Sequence, residues 1–279
     1  MNGKERRDFR ALWAQQIQRP DAALELDRSA LYIAGEEYPW LDVEDYLDQL
    51  DEIASEVRSK PGNPRHQRRL TEALNRYLFD YLGFTGNKDD YYNPENSFLN
   101  RVLDTHVGIP ITLSLLYLEI GRRLGIRCQG IGLPGHFLVR LEELGLYLDP
   151  FNGGQLLSVT DCPRLVQDTF GAYLPWREGY LSPYSKHDIL FRTLNSLKCT
   201  YMRRRDYSRA AVALQRMALL SPASPFINRE LSWCYVNLEE HWAATRHLEM
   251  YLRAARPSQD TLELRRQIQS VWSTITQTN

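Results

Sequence analysis

Cysteine is scarce in this chain and poorly placed for metal or redox chemistry. Cys128, Cys162, Cys199 and Cys234 lie far apart, with no CxxC pair among them. That excludes a sequence-encoded zinc ribbon and a thioredoxin-type dithiol. Histidine is as sparse. His241 and His247 are six residues apart, whereas two imidazoles share one helix face at a spacing of about four. His106 stands alone after a helical stripe. No metal and no cofactor is expected from these residues.

An excess of one charge is missing as well: 34 Lys and Arg face 35 Asp and Glu. The balance speaks against a nucleic acid or a membrane surface as partner. A long apolar run is also absent. The most apolar stretch, Ile109 to Leu118, ends at Glu119 and is half the roughly 20 residues that a helix needs to span a bilayer. The opening MNGKERRDFR is charged and no apolar stretch follows it, so it does not read as a secretory signal. These absences together predict a soluble, cytoplasmic protein with reduced thiols.

What is present is a helical pattern. In PDAALELDRSALYIAGEEYPWLD, Leu24, Leu31 and their neighbours recur at helical spacing after the start signal Pro20-Asp21. From Asp42 to Val57 one face collects Val43, Tyr46, Leu47, Leu50, Ile53, Ala54 and Val57. RSKPGNPRHQRR reads as a loop, and its charges as a solvated helix entry. Leu70, Leu74, Tyr77, Leu78 and Tyr81 form the next stripe.

In NPENSFLNRVLDTHVGIP, Asn96 or Ser97 is placed to cap the helix bearing Phe98, Val102 and Leu103. Gly108 is placed to end that helix in the left-handed conformation, and Pro110 to open the next one. The helix from Ile111 to Arg123 is apolar nearly all round, which predicts a central, buried position. Gly125 stops it. Three strand-like runs follow, IRCQGIGL, HFLVRL and LYLD, with turns at Pro134-Gly135 and Glu142-Glu143. A buried helix followed by an antiparallel meander predicts an α+β core.

The last third repeats. Tyr207 and Trp242 are 35 apart, as are Pro222 and Pro257, while Tyr201 and Tyr235 are 34 apart, as are Leu197 and Leu231. Each unit reads as helix, turn, helix, proline, similar to tetratricopeptide (TPR) repeats, with Ala210 and Ala211 at small positions. Lys198 and Ser232 stand where such repeats usually carry glycine. Two repeats need caps. Thr261 to Thr276 reads as a capping helix, and the α+β core is expected to cover the other end. From about Ser185 onward the chain should be all helical.

His136 opens the second strand-like run and Asp149 closes the third. Antiparallel strands bring such residues side by side. A carboxylate there orients an imidazole and stabilises its cation, as in sites that activate a nucleophile. A nucleophile in such a site commonly starts a buried helix, where the dipole favours a thiolate. The helix beginning near Pro110 has the right place in that order.

The stretches ALYIAGEEYPWLDVEDYLDQLDEIA, YYNPENSFLNRVLD, GIPITLSLLYLEIGRRLGI, GLPGHFLVR and LDPFNGG together resemble the SirB1 family, over almost the whole chain. The resemblance implies an α+β protein in three parts. Residues 1–90 would be a helical N-terminal region, and 91–180 a papain/transglutaminase-like core with a small antiparallel sheet. Residues 181–279 would be TPR-like helical repeats with a capping helix. The core is also similar to one in a eukaryotic F-box protein.

Active enzymes with this core carry Gly-x-Cys where the core helix starts, and the helix ends at Leu-Gly-Ile. Leu124-Gly125-Ile126 matches that ending, and fifteen residues back from Gly125 lies Pro110. Gly-x-Cys looks to have become Gly108-Ile109-Pro110, and proline has no nucleophilic atom. His136 and Asp149 match the enzymes' His and Asp. The resemblance thus implies a degenerate triad in a non-catalytic, protein- or peptide-binding regulatory module. The alternative is an amide hydrolase or acyl transferase in which Thr112, Ser114 or Cys128 replaces the thiol. A hydroxyl in that role would need full activation by His136. The expected partner is a protein or peptide, with no nucleic acid and no membrane, and the sequence sets no oligomeric state.

Overall fold

Apolar spacing lays down the first helices. In the computed structural model, which describes residues 8–59 and 67–255, these are α1 (Phe9–Gln16), α2 (Leu26–Gly35), α3 (Val43–Ser59) and α4 (Gln67–Asn75). Pro20 and Asp21 start only a 3-10 turn, Asp21–Ala23, and α2 begins after it. From α4 the chain runs into a wider π-helical stretch, Arg76–Tyr81. Two residues, β1 (Thr85–Gly86), then pair in parallel with β2 (Val107–Gly108). The excursion between them carries a 3-10 turn, Pro94–Ser97, and α5 (Leu99–Thr105).

Helix α6 (Pro110–Leu124) is the centre of the first unit, Met1–Thr193. Every residue from Pro110 to Gly121 is buried. Helices α2 to α5 and the sheet pack around it. Gly125, at φ 77°, ends it in the left-handed conformation that glycine adopts without strain. The sheet is the meander β3 (Cys128–Ile131), β4 (Leu138–Leu141), β5 (Leu146–Asp149) and β6 (Gln155–Leu157), antiparallel throughout. Leu138, Val139, Leu141 and Leu148 are buried in it. Helix α7 (Cys162–Phe170) follows, and Cys162 and Val166 join Ile131, Leu133 and Leu138 in one apolar cluster.

The second unit, Leu194–Asn279, begins within α8 (Lys186–Arg203) and continues as α9 (Tyr207–Leu220), α10 (Pro225–Asn237) and α11 (His241–Ala254). Asp206 caps α9 by accepting from the Arg209 N–H, and Pro225 opens α10. Lys198, nearly buried on α8, pairs with both carboxylate oxygens of Glu230 on α10 at 2.9 and 3.0 Å. No strand occurs among the described residues from 185 to 255. The capping helix expected at 261–276 lies outside the described residues.

Three local expectations are corrected. The left-handed residue after α5 is His106, at φ 59°, not Gly108. Gly108 sits in a tight place: a Cβ there would lie 3.0–3.2 Å from Leu113, Thr112 and Val102, which would have to give by a few tenths of an ångström. Neither Asn96 nor Ser97 caps α5, whose preceding residue is Phe98 with no side-chain cap. Asn93 instead caps the 3-10 turn by accepting from the Glu95 N–H. The meander has a fourth strand, β6, after the Asn152-Gly153-Gly154 turn.

The last turn of α6 carries charge into the interior. Asp27 of α2 and Glu119 are both buried, and each meets two guanidinium groups. Arg122 reaches Glu119 at 2.8 Å and Asp27 at 3.3 Å, while Arg123 reaches Asp27 at 2.7 Å and Glu119 at 3.1 Å. Arg123 also pairs with Asp51 of α3. Burial pushes the Glu119 carboxyl up to about 7, and the neighbouring Asp27 charge adds to the push, against Arg122. Burial would raise Asp27 too, but Arg123 outweighs it and holds Asp27 below its ordinary value. A carboxyl with a raised folded-state pKa binds its proton more tightly folded than unfolded. Its stabilising contribution is complete below the ordinary value of 4.5 and is lost as pH rises through about 7. Between those limits the unfolding free energy of the wild type should fall by about 1–3 kcal/mol relative to Glu119→Gln. Denaturant titrations at several pH values read this, and a pH-independent difference between the two proteins would refute it.

Candidate functional site

The sheet's register assembles the site. β4 and β5 pair Val139 with Leu148, so Asp149, one residue further, falls opposite Leu138 and close to His136. The turn before β4 brings the histidine in. Gly135 takes φ 71°, the His136 N–H donates to the Leu133 carbonyl at 3.1 Å, and Thr169 and Phe170 of α7 crowd Gly135 from outside.

His136 Nε2 lies 2.8 Å from Asp149 Oδ2. The imidazole side chain is 13% exposed and the carboxylate 1%. Asp149 also caps the turn after β5. Its Oδ1 accepts from the Phe151 and Asn152 N–H groups at 3.1 and 3.2 Å, and Oδ2 accepts from Asn152 Nδ2 at 2.8 Å. Burial would raise this carboxyl, but the His136 and Asn152 donors outweigh it and hold Asp149 below its ordinary value. An ionised carboxylate only accepts, so Nε2 carries the ring proton, and in the neutral imidazole Nδ1 presents its lone pair.

Helix α6 packs against the strand and the turn that carry this pair. Pro110 is the first helical residue and brings no N–H. Thr112 Oγ1 accepts from the Ile109 N–H at 3.2 Å and donates to the Asn96 carbonyl at 2.6 Å. One turn on, Ser114 Oγ donates to the carbonyl of Phe137, the residue after His136, at 3.3 Å. Helix α6 also packs against the turn Pro150–Asn152. Cys128 is elsewhere: it pairs with Leu141 at the far end of the β3–β4 ladder, whereas Ile131 pairs with Leu138 beside the histidine. Burial pushes its thiol up to about 12, and Glu119 and Glu142 push the same way. Of the expected residues, the fold brings His136 and Asp149 together, sets Ser114 against the backbone beside them, and separates Cys128 from them.

Two contributors escaped the sequence reading. Asn152 lies in the Pro-Phe-Asn-Gly-Gly stretch, whose composition signals only a turn, yet its amide holds the same oxygen as His136 does. Asn96 was read as a helix cap, yet its carbonyl holds Thr112 at the start of α6.

A family model described as transglutaminase-like superfamily matches residues 44–195. A UPF0162 protein of Xylella fastidiosa is 36% identical over 247 residues, covering 87% of this chain and 88% of its own. Protein SirB1 of Salmonella typhimurium is 24% identical, over 75% of this chain and 78% of its own. This chain belongs to the SirB1-like family of the transglutaminase-like superfamily. F-box only protein 21 of Mus musculus is similar over less: 37% identity across 110 residues, 36% of this SirB1-like chain and 18% of the mouse protein. No solved structure matches the chain. No described helix is long and apolar enough to cross a membrane.

Removing the buried Asp149 carboxylate should take the acceptor from four donors: His136 Nε2, the half-buried Phe151 N–H, and the N–H and Nδ2 of Asn152, which is exposed. Asp149→Ala should therefore cost about 1–3 kcal/mol of stability in denaturant unfolding. Asp149→Asn, which keeps one acceptor oxygen, should cost less. An unchanged midpoint for Asp149→Ala would show that the carboxylate does not hold this turn.

Proposed function

We propose that this SirB1-like protein is a non-catalytic relative of the transglutaminase-like enzymes, and that the surface around His136 binds a protein or peptide segment. One observation carries the reading. The His136–Asp149 pair has the geometry that activates a nucleophile, while the adjoining helix starts with proline. The hydroxyls nearest by are engaged. Thr112 caps its own helix, and Ser114 donates its proton to a carbonyl rather than to an imidazole nitrogen. Cys128 combines the wrong end of the hairpin with a thiol that stays protonated at neutral pH. The match to part of F-box only protein 21 supports reading the core as a module carried by different chains. The helical second unit, read as TPR-like, adds a further surface for protein contacts, and the protein acts in the cytoplasm.

Wild-type protein should show no amide hydrolysis or acyl transfer that depends on His136. Pro110→Cys should gain a thiol that iodoacetamide alkylates faster than Cys128, because the helix dipole and His136 both favour the thiolate. His136→Ala in that background should slow the labelling. Peptide mapping separates position 110 from Cys199, which is exposed. A wild-type activity lost in a folded His136→Ala variant would overturn the reading and return attention to Thr112 and Ser114.

A further inference from the structure

The loop between β1 and α5 is built at unusual expense in hydrogen bonds. Asn96, only 4% exposed, donates its amide to the Asp90 carbonyl at 2.8 Å and the Tyr91 carbonyl at 3.2 Å, and accepts from Asn87 Nδ2 at 3.0 Å. Asn87 Oδ1 accepts from the Asp90 N–H at 2.8 Å, and the Asn87 N–H donates to Gly108. The Asn96 carbonyl takes the Thr112 hydroxyl, so the loop is tied to the start of α6. What this frame presents is Asp89, Asp90, Tyr91 and Tyr92, all exposed. Neither Asp89 nor Asp90 has an ion-pair partner among the described residues. Lys88 is the one cation in the stretch 87–95, against Asp89, Asp90 and Glu95, and Glu95 is paired with Arg101.

The tyrosines continue inward as a line of aromatic contacts. Tyr92 meets Tyr91 edge-on at 5.2 Å, Tyr91 meets Phe151 at 6.0 Å, and Phe151 meets the His136 ring at 6.0 Å. Phe151 lies so close to Gly86 that no Cβ fits there, so β1 fixes this wall in place. The line therefore starts at an acidic, exposed edge and ends at an imidazole whose Nδ1 has no partner among the described residues.

We propose that Asp89, Asp90, Tyr91 and Tyr92 are the entry of a groove that binds a lysine- or arginine-containing peptide segment, which runs along Phe151 to His136. The proposal rests on the binding-module reading and names its partner. Aromatic faces hold ammonium and guanidinium groups within about 6 Å of the ring centre, and the two unpaired carboxylates supply the countercharge. An acidic segment or a nucleic acid meets repulsion at the same edge. A preformed loop avoids the ordering cost that a flexible one adds on binding. At the inner end, Nδ1 accepts a backbone N–H of the peptide.

The test uses fluorescence anisotropy on the full chain with fluorescein-labelled peptides of about twelve residues. One alternates Lys and Arg with apolar residues, the second carries Glu in place of the cations, and the third carries Ser. The basic peptide should bind at least about tenfold more tightly than the serine peptide, and the glutamate peptide should not bind. The Asp89→Asn/Asp90→Asn variant should lose at least about fivefold and flatten the salt dependence. Tyr91→Ala/Tyr92→Ala should weaken binding comparably. Circular dichroism and an unchanged unfolding midpoint establish that both variants are folded. Equal binding of the three peptides, no binding of any, or undiminished binding by the folded Asn variant overturns the proposal. Mass spectrometry of the same samples separates it from the reading beneath it. A peptide processed by wild type but not by His136→Ala overturns the non-catalytic reading and leaves the groove standing. Intact peptides that do not bind overturn the groove alone.

Discussion

A helix buried from its first residue through three turns must satisfy its N-terminal end without water. That constraint governs the first unit. The first N–H groups and the last carbonyls of any α-helix lack partners within the helix, and leaving them so in the interior costs free energy. Pro110 removes one donor, Thr112 turns its hydroxyl back onto the Ile109 N–H, and Asn96 lends a carbonyl from outside. At the other end Gly125 turns the chain, its N–H and that of Ile126 donate to the Arg122 and Gly121 carbonyls, and Arg58 of α3 donates to the Arg123 carbonyl. Cations in the last turn also suit the helix dipole. The charges this gathers explain why Asp27 and Glu119 lie where an apolar core would otherwise continue.

The other focus is Asp149, which does two jobs with one carboxylate. One oxygen holds a turn and the other holds a ring, with Asn152 serving both. A structural role and an orienting role therefore do not compete for the residue. His136 Nδ1 has no partner among the described residues, and its ring is partly exposed.

Much of this was legible in the residues. An all-apolar helix with Pro in front and Gly behind reads directly as a buried helix, because the caps are local and the burial is compositional. The His136–Asp149 meeting was legible because one register fixes which strand ends adjoin. The departures have tertiary causes. β1 and β2 are two residues each and β6 is three, too short to show any alternation. Gly108 looked like a helix stop, but its missing side chain makes room for Leu113 and Val102 while His106 takes the left-handed turn. Asn96 sits in a plausible capping position, yet its amide is drawn to carbonyls five and six residues back. Nothing local distinguishes these outcomes, since an asparagine serves either loop or cap.

The π-helical stretch turns residue number into geometry. At Arg76–Tyr81 the Leu82 N–H reaches back five residues to the Tyr77 carbonyl at 2.9 Å, so each turn there consumes one residue more than in α4. Phe79, inside that stretch, presses on Gly154 so closely that a Cβ would not fit, and it stacks with Tyr117 of α6 at 6.4 Å. Gly154 follows the turn that Asp149 holds. One residue fewer between Gln67 and Tyr81 would swing Phe79 by about 100° around the helix axis and withdraw it from both neighbours. The length of this segment, more than its composition, is what ties the helical half of the unit to the carboxylate across from it.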